Sequence, residues 1–222
     1  MSPVSRVPLP RPPRAKSIRP RDLAPVAAVA LRAGGYADLA WFRGIDVSGV
    51  DLRGLELVEC VMEDVRADRT RLEDFRLAES RVDRLAASEL HAQRSVWREV
   101  SWESSRVGAF ECHDAQWRSV LIEGCRIGFL GLGRSNLLDV RLRDCTLDAL
   151  DLTAATLNRV AFDDCRIGEL RIRESRLQDV DLRGLTLNQV DDAASLRGAW
   201  VSADQLVELA PALAAHVGLR IV

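Results

Sequence analysis

Chemically reactive side chains are scarce in this sequence of 222 residues. Its three histidines stand far apart, at His91, His113 and His216, and its five cysteines form no C-x-x-C pair. A nucleophile and its base must lie within about 3 Å of each other, and a metal site needs clustered ligands. We therefore expect a protein that is not an enzyme and that holds no metal and no cofactor. The cysteines are interpreted as small apolar core residues.

Long apolar runs and export signals are absent as well. No apolar run reaches the roughly 18 residues of a membrane-spanning helix, and the basic N-terminus lacks the apolar stretch of a signal peptide. These features predict a cytoplasmic protein with reduced thiols and no membrane contact. Lysine is represented only by Lys16, and the charges nearly balance, with a net charge of -2.

What the sequence does contain is a repeat of five residues. Every fifth position from Phe42 to Leu187 is apolar, without a change of phase. Chance would produce this on the order of once in 10^10. The position two residues earlier, from Ala40 to Leu185, is never charged. Each unit therefore points two side chains inward, which fits neither one continuous helix nor one continuous strand and predicts a coiled solenoid.

A second spacing, of twenty residues, gives the length of one coil. Like residues recur at this interval in several series, such as Val100, Val120, Val140, Val160 and Val180, and Cys125, Cys145 and Cys165. Stacked coils of a β-helix place such residues on one another at about 4.8 Å. The sequence therefore predicts coils with four sides of five residues, and about seven to eight coils in all.

Short related motifs recur along the chain, because the segments 50–54 and 180–184 both read VDLRG, 150–152 reads LDL, and 194–198 reads ASLRG. With these motifs, the segment 40–201 resembles the pentapeptide-repeat family, whose loose pattern is A(D/N)LXX. The resemblance implies an all-β fold, a right-handed quadrilateral β-helix. One departure is that arginine often precedes the central apolar residue, as at Arg66, Arg71 and Arg76, which changes the charge that a partner would meet.

The N-terminal end differs from the repeat array. Residues 1–21 are rich in proline and cations, which predicts a disordered basic arm. Residues 22–38 are expected to cap the first coil, with room for a short helix over 22–33 that Asp22 would begin. The β-helix itself is assigned to residues 39–201.

The C-terminal end, residues 202–222, is predicted to form a helix followed by a short strand. The repeat phase slips by one after Val190. Ser202 and Gln205 then have the spacing of a capping box, and Gly218 is placed to end the helix. This end caps the last coil, and in several members of the family it forms a two-fold dimer. The resemblance therefore implies a homodimer whose candidate interface is Leu206, Leu209, Leu213, Val217, Leu219 and Ile221.

Two outward surfaces are candidate contact sites. Folding by twenty stacks acidic side chains into what we call the acidic stripe, namely Glu63, Asp83, Glu103 and Glu123, with Asp64, Asp144 and Asp164 beside them. The stripe is either a solvated face paired with the column Arg66, Arg106, Arg126 and Arg166, or a docking face for a basic partner. The second surface is apolar, with Phe129 between Ala109 and Ala149.

Two functions remain open. The first is a non-catalytic scaffold that binds an unknown protein partner through its outer faces. The second follows from the resemblance, because some family members mimic duplex DNA, bind DNA gyrase and confer quinolone resistance. Residues 40–190 carry 27 acidic residues against 22 arginines. The resulting net negative charge is much less dense than that of a DNA duplex, which carries one charge per about 1.7 Å. Direct nucleic-acid binding by this chain is not expected.

Overall fold

Parallel strands wound into a tube form the body of the molecule. The computed structural model describes residues 9–21, 23–216 and 218–219. Strand partners lie twenty residues apart through most of the tube, for example Val100 with Val120 and Leu130 with Leu150. The β-solenoid and its twenty-residue coil are therefore confirmed. The tube has about nine coils, more than the repeat count predicts, because short strands at both ends add to it.

The strands form two sheets that run along the tube. One contains all ten odd-numbered strands in the order β1-β3-β5-β7-β9-β11-β13-β15-β17-β19, with β2 and β4 beside this path, and the other has the order β18-β16-β14-β12-β10-β8-β6. The bounds are β1 Ala24–Pro25, β2 Tyr36–Asp38, β3 Ala40–Arg43, β4 Glu56–Val58, β5 Val61–Glu63, β6 Thr70–Arg71, β7 Arg76–Asp83, β8 Ala86–His91, β9 Val96–Glu103, β10 Arg106–Glu111, β11 Gln116–Glu123, β12 Arg126–Gly131, β13 Asn136–Arg143, β14 Thr146–Asp151, β15 Thr156–Asp163, β16 Cys165–Arg171, β17 Arg176–Asp181, β18 Leu185–Val190 and β19 Ala199–Trp200.

The corners of the tube are made by residues in the left-handed backbone region. In a typical coil, Asp74, Glu79 and Arg84 have φ of 61°, 50° and 51°. The fourth corner, at Glu89, lies inside strand β8 and lacks a positive φ. Each left-handed residue without glycine costs about 1–2 kcal/mol, so the fold requires that neighbouring interactions hold these corners in place.

The interior is filled by the two inward positions of each unit. Of the thirty central apolar positions, all are buried except four that are half-buried, Met62, Leu72, Leu177 and Leu187. At the other inward position, Thr70, Ser135 and Ser175 donate to a carbonyl 23 residues earlier, whereas Ser80 and Ser105 donate to the carbonyl two residues earlier. The Thr70 hydroxyl donates to the Val47 carbonyl at 2.9 Å.

The five cysteines are buried and free, as expected of core residues. The Cys145 thiol donates to the Ile122 carbonyl, which repeats the pattern that Thr70 shows. At this inward position the thiol and the hydroxyl therefore donate the same kind of hydrogen bond to the backbone.

An aromatic cluster occupies the lumen near the middle of the chain. Trp97 and Trp117 stack with ring centroids 5.1 Å apart, and Trp102 meets Phe110 edge-on at 5.0 Å. The indole N–H groups of all three tryptophans are buried without a hydrogen-bond partner among the described residues. Their contribution to stability is therefore made by packing and burial.

The N-terminal cap contains no α-helix over the described part of 22–33. Strand β1 pairs Ala24 with Ala40, and a 3-10 turn covers Ala28–Ala30. Pairing with the first coil gives the backbone of this segment partners at an otherwise open sheet edge, which a helix there would not provide. The proposed N-cap, Asp22, lies outside the described residues.

The C-terminal cap follows its sequence signals closely. Val180 pairs with Ala199, nineteen residues on, so the predicted slip of phase is confirmed. A 3-10 turn, Ala193–Leu196, precedes β19, and helix α1 spans Ala203–His216.

Both predicted signals at the ends of α1 are present. The Ser202 N–H donates to Gln205 Oε1 at 2.8 Å, and the Gln205 N–H donates to Ser202 Oγ at 3.2 Å. Gly218, at φ 79°, follows the helix. The predicted final strand falls largely on residues 220–222, outside the described chain. None of the described helices has the length and apolar character to span a membrane.

Candidate functional site

The acidic stripe is brought together by the stacking of coils. Strand register places Glu63 beside Asp83, Asp83 beside Glu103 and Glu103 beside Glu123. Next to Glu123 the column continues with Arg143. Four acidic side chains therefore form one ladder, as the twenty-residue spacing predicts.

Arginines neutralise much of this ladder. Arg84 lies at its centre, with Nη2 2.6 Å from Glu63 Oε1, Nε 2.7 Å from Asp64 Oδ1, and a further contact with Asp83. These hydrogen bonds lower the pKa of the Glu63 and Asp64 carboxyl groups. Arg81 bridges Asp83 and Glu103 at 2.9 and 3.2 Å. Repulsion between stacked carboxylates is thereby offset.

The arginines that do this are different from those expected. The column Arg66, Arg106, Arg126 and Arg166 lies beyond the next corner and forms no ion pair with the stripe among the described residues. Its place is taken by Arg81 and Arg84 and, at the far end, by Arg143, whose Nη1 lies 3.1 Å from Glu123 Oε1. The repeat fixes which side chains point outward, but the reach of a long arginine decides which carboxylate it meets.

Two members of the stripe remain available to a partner. Asp144 and Asp164 are exposed corner residues, with φ of 51° each. Within the described chain neither forms an ion pair. The most accessible negative charge of the stripe is therefore at its far end, away from Arg84.

The apolar column is also formed as predicted, since Phe129 pairs in register with Ala109 and Ala149. Phe129 is half-buried, because its ring lies over Gly131, where an added Cβ would come within 3.0 Å of the ring. A shallow groove beside it is lined by Phe129, Gly131, Gly133 and neighbouring polar side chains. Whether this groove is a contact surface stays a prediction.

The candidate dimer residues are only partly covered. Leu206 is 52% exposed and Leu219 is 65% exposed, whereas Leu209 and Leu213 are half-buried. Leu209 lines a groove between α1 and the last coil, together with Leu187 and Val190. Val217 and Ile221 lie outside the residues whose structure is described.

One polar cluster was missed by the sequence reasoning. His91 lies between two glutamates, with Nε2 3.1 Å from Glu89 Oε1 and Nδ1 3.6 Å from Glu111 Oε2. The signal was present as E-x-H followed by a glutamate twenty residues on. The two carboxylates face different ring nitrogens, and only the Glu89 contact is short enough for a hydrogen bond. The arrangement therefore suits an imidazole hydrogen-bonded to Glu89 better than ligation of one ion.

The five-residue repeat and the twenty-residue coil together define the class of fold, a parallel β-solenoid built from five-residue units. Neither the known protein families nor the curated proteins give a match to this chain. Similar solved structures include two forms of QnrB1, described as a plasmid-mediated fluoroquinolone resistance protein. A trypsin-treated variant is 16% identical, with a TM-score of 0.38, covering 89% of this chain and 94% of its own.

The full-length form of QnrB1 is 16% identical, with a TM-score of 0.34, and the match covers 88% of this chain and 95% of that one. HetL is a pentapeptide-repeat protein involved in heterocyst differentiation regulation, from the cyanobacterium Nostoc sp. strain PCC 7120. It is 15% identical, with a TM-score of 0.23, covering 78% of this chain and 92% of its own. At such identities and TM-scores the likeness carries no argument about function.

Proposed function

We propose that this protein is a non-catalytic scaffold that binds a protein partner through the outer faces of its solenoid. The observation that carries the proposal is the division of the chain into a closely packed interior and long, regular outer ladders of side chains. Inward positions are filled by apolar side chains and by buried Ser and Thr side chains, so binding must use the outside. The ladders hold charged groups at fixed intervals of about 4.8 Å, which is a rigid template for another protein.

The far end of the acidic stripe is the face that we assign to the partner. Asp144 and Asp164 are exposed there, whereas Glu63, Asp64 and Asp83 are paired with Arg84. A basic partner would gain most from carboxylates that have no arginine of their own. We therefore expect a partner with a cationic contact surface.

Site-specific crosslinking tests this assignment. A photoreactive amino acid at position 166, an exposed site beside Asp164 that keeps both carboxylates, should crosslink a partner in the source cells. The same group at Glu174, an exposed corner of another column, serves as the matched control. The purified partner should then bind the Asp144→Asn, Asp164→Asn double variant several-fold more weakly than the unaltered chain. Equal crosslinking at both positions, or unchanged affinity, would contradict the assignment.

DNA gyrase is the alternative partner suggested by the family resemblance, and the observed ion pairs weigh against it. A duplex mimic needs uncompensated negative charge, whereas Arg81, Arg84 and Arg143 lie within the ladder. We expect no inhibition of gyrase supercoiling and no protection from a quinolone at micromolar protein. Either effect, if it were lost in the Asp144→Asn, Asp164→Asn variant, would restore the gyrase hypothesis.

A second copy of the chain is the further partner that we propose, bound through α1. Exposed Leu206 and Leu219 give this end an apolar surface suited to a two-fold contact. Sedimentation should give twice the 24.6 kDa chain mass, and Leu206→Glu should give the single mass. Val207→Glu, at an adjacent exposed position, is the control that should stay dimeric. A monomer at micromolar concentration before any substitution would remove the proposal.

A further inference from the structure

The basic arm lies on the solenoid along residues 9–21. Two of its backbone N–H groups donate to corner aspartates, Arg11 to Asp179 Oδ1 at 3.2 Å and Arg14 to Asp139 Oδ1 at 3.1 Å. These aspartates belong to one column, because Asn158 pairs in register with both Leu138 and Gln178. The arm therefore runs along the axis of the tube and crosses successive coils.

The same path continues at the other end of the arm. The Ser17 hydroxyl donates to Glu103 Oε1 at 2.7 Å, and the Ile18 N–H donates to Ser101 Oγ at 3.2 Å. From Arg11 to Ile18 the arm thus spans about four coils. Its contacts recur at intervals of roughly three arm residues.

This interval of three residues matches the geometry of the arm and of the solenoid. An extended polyproline-type chain rises about 3.1 Å per residue, or about 9.3 Å over three residues. Two coils of the solenoid rise about 9.6 Å. Arg11 and Arg14 are three residues apart, and Asp179 and Asp139 are two coils apart. Every third N–H group of a polyproline-type chain can therefore meet a corner residue two coils further along the column.

The prolines of the arm fix its register. Proline has no N–H to donate, and the two donating positions, 11 and 14, are both free of it. A shift of one residue in one direction would place Pro12 opposite an aspartate. A shift in the other direction would place Pro10 and Pro13 opposite both aspartates. Of these three registers, only the observed one keeps both hydrogen bonds.

The surface beneath the arm has the form of a covered groove. Ser101, Leu121 and Ala161 occupy an outward column, yet they are 0%, 2% and 5% exposed. On the preceding side, the outward residue Val96 is 36% exposed. Pro13 of the arm is buried. Small and apolar side chains, interrupted by Arg141, therefore form the floor. The corner column at its edge is mixed, and consists of Glu99, Ser119, Asp139, Arg159 and Asp179.

We propose that this face is a docking groove for an extended, basic, proline-containing peptide, and that residues 9–21 occupy it in cis as an internal competitor. Asp179 and Asp139 accept backbone N–H groups at every third residue of the peptide. Glu99 and Asp179, which form no ion pair with an arginine within the described chain, favour the cations of such a peptide, and Glu99 already lines one pocket with Arg14 and Lys16. This proposal rests on the scaffold function proposed above, because it names the chemical class of a partner. The groove lies on the face that ends at the corner of Asp144, but its tests measure the release of the arm and the binding of a peptide, whereas the crosslinking test captures a partner, so the two proposals can fail independently.

The single lysine of the chain offers a direct test in the intact protein. Lys16 lies within the docked arm, so a lysine-specific endoprotease cuts only there and its rate reports how often the arm is released. Arg11→Pro with Arg14→Pro removes both N–H donors and should raise the cleavage rate about tenfold or more. Arg11→Gln with Arg14→Gln keeps both donors, and its increase should be clearly smaller.

A synthetic peptide tests binding in trans. The peptide of residues 9–21, with Lys16→Arg so that it resists the protease, should bind the double-proline protein in a fluorescence anisotropy titration. In excess it should also speed cleavage of the unaltered protein. The same peptide with prolines at positions 11 and 14 should do neither, and circular dichroism should show that all protein variants keep their β-structure.

Several outcomes would overturn the proposal. Cleavage of the unaltered protein as fast as a free peptide would show that the arm is not docked. Equal cleavage of the proline and glutamine variants would remove the role of the N–H register. Protection that falls on dilution would place the arm on a second copy and overturn occupation in cis. Failure of the peptide to bind the proline variant would remove the groove.

Discussion

The first coils and the middle coils of the tube follow the same five-residue repeat but satisfy it differently. In the first coils, between residues 36 and 71, the strands are two to four residues long. Between Arg76 and Arg171 each strand has six to eight residues. The repeat alone therefore does not determine how regular a coil becomes.

The residues at the corners and the side chains that fill the lumen account for this difference in strand length. In the first coils the left-handed corners include Gly44, Gly49 and Gly54, and an apolar cavity of about 50 Å³ lies in the lumen of the N-terminal half. In the middle, most corners are charged or polar residues, and the lumen holds the cluster around Trp117. Glycine relieves strain at a corner without adding contacts. Charged corners form ion pairs between coils, which bind one coil to the next.

The largest effect should come from removing a ring of the middle core. Trp117→Ala should lower the free energy of unfolding by about 3–5 kcal/mol, because a fully buried indole leaves a cavity that the rigid tube cannot close. Met62→Ala, at a half-buried position beside the existing cavity, should cost about 2 kcal/mol or less. Urea unfolding monitored by circular dichroism measures both. Equal losses would show that the two regions are equally well packed.

A smaller change in the free energy of unfolding should distinguish ion pairs of corner residues that are shielded from solvent from those that are exposed to it. Arg159 meets Asp139 with two hydrogen bonds of 2.7 and 2.6 Å, and Asp139 is 5% exposed. Asp139→Asn should cost about 1–3 kcal/mol at pH 7. The similar pair of Asp114 with Arg134 is open to solvent, and Asp114→Asn should cost under about 1 kcal/mol because water screens it.

The Asp139 pair also predicts a pH dependence. The Arg159 guanidinium, more than the Arg14 N–H, lowers the pKa of the Asp139 carboxyl in the folded chain. Its stabilisation should be complete above the unfolded aspartate pKa of about 3.9 and should be lost as pH falls through the lowered folded value. The difference between the unaltered protein and Asp139→Asn should therefore vanish in acid. A difference that stays constant with pH would mean that packing, not charge, is responsible.

The sequence predicted the interior far better than the exterior. Phase and spacing alone predicted which side chains point inward, the slip after Val190 and the capping box at Ser202. These features depend on contacts within one unit or with the coil directly below. The left-handed φ of Asp74 or Arg84 was not predicted, because no glycine marks those corners.

The outer faces depend on interactions over longer distances in the sequence. Arg84 reaches carboxylates twenty and twenty-one residues away, and the arm contacts residues up to 168 positions distant. Such contacts are set by rotamers and by surfaces assembled from several coils, which a periodic pattern does not encode. The stacking of the acidic stripe was therefore predicted correctly, whereas its arginine partners and the docked path of residues 9–21 were not.

The smallest changes in the free energy of unfolding should come from exchanging glycine and alanine at left-handed corners. The change should have one sign in the first coils and the opposite sign in the middle coils. Gly44 has φ 61° and open space around an added Cβ, so Gly44→Ala should cost about 1 kcal/mol through backbone strain alone. Ala154 has φ 57° and is exposed, so Ala154→Gly should stabilise the fold by up to about 1 kcal/mol.

The control for this exchange is Ala86→Gly, at an exposed strand position without a positive φ. It should destabilise by about 0.5–1 kcal/mol, because glycine loses more freedom on folding. If Ala154→Gly also destabilises, the middle corners are held without significant strain. The charged corner residues would then differ from glycine only in the ion pairs that they form, and the short strands of the first coils would have to be attributed to their smaller core side chains.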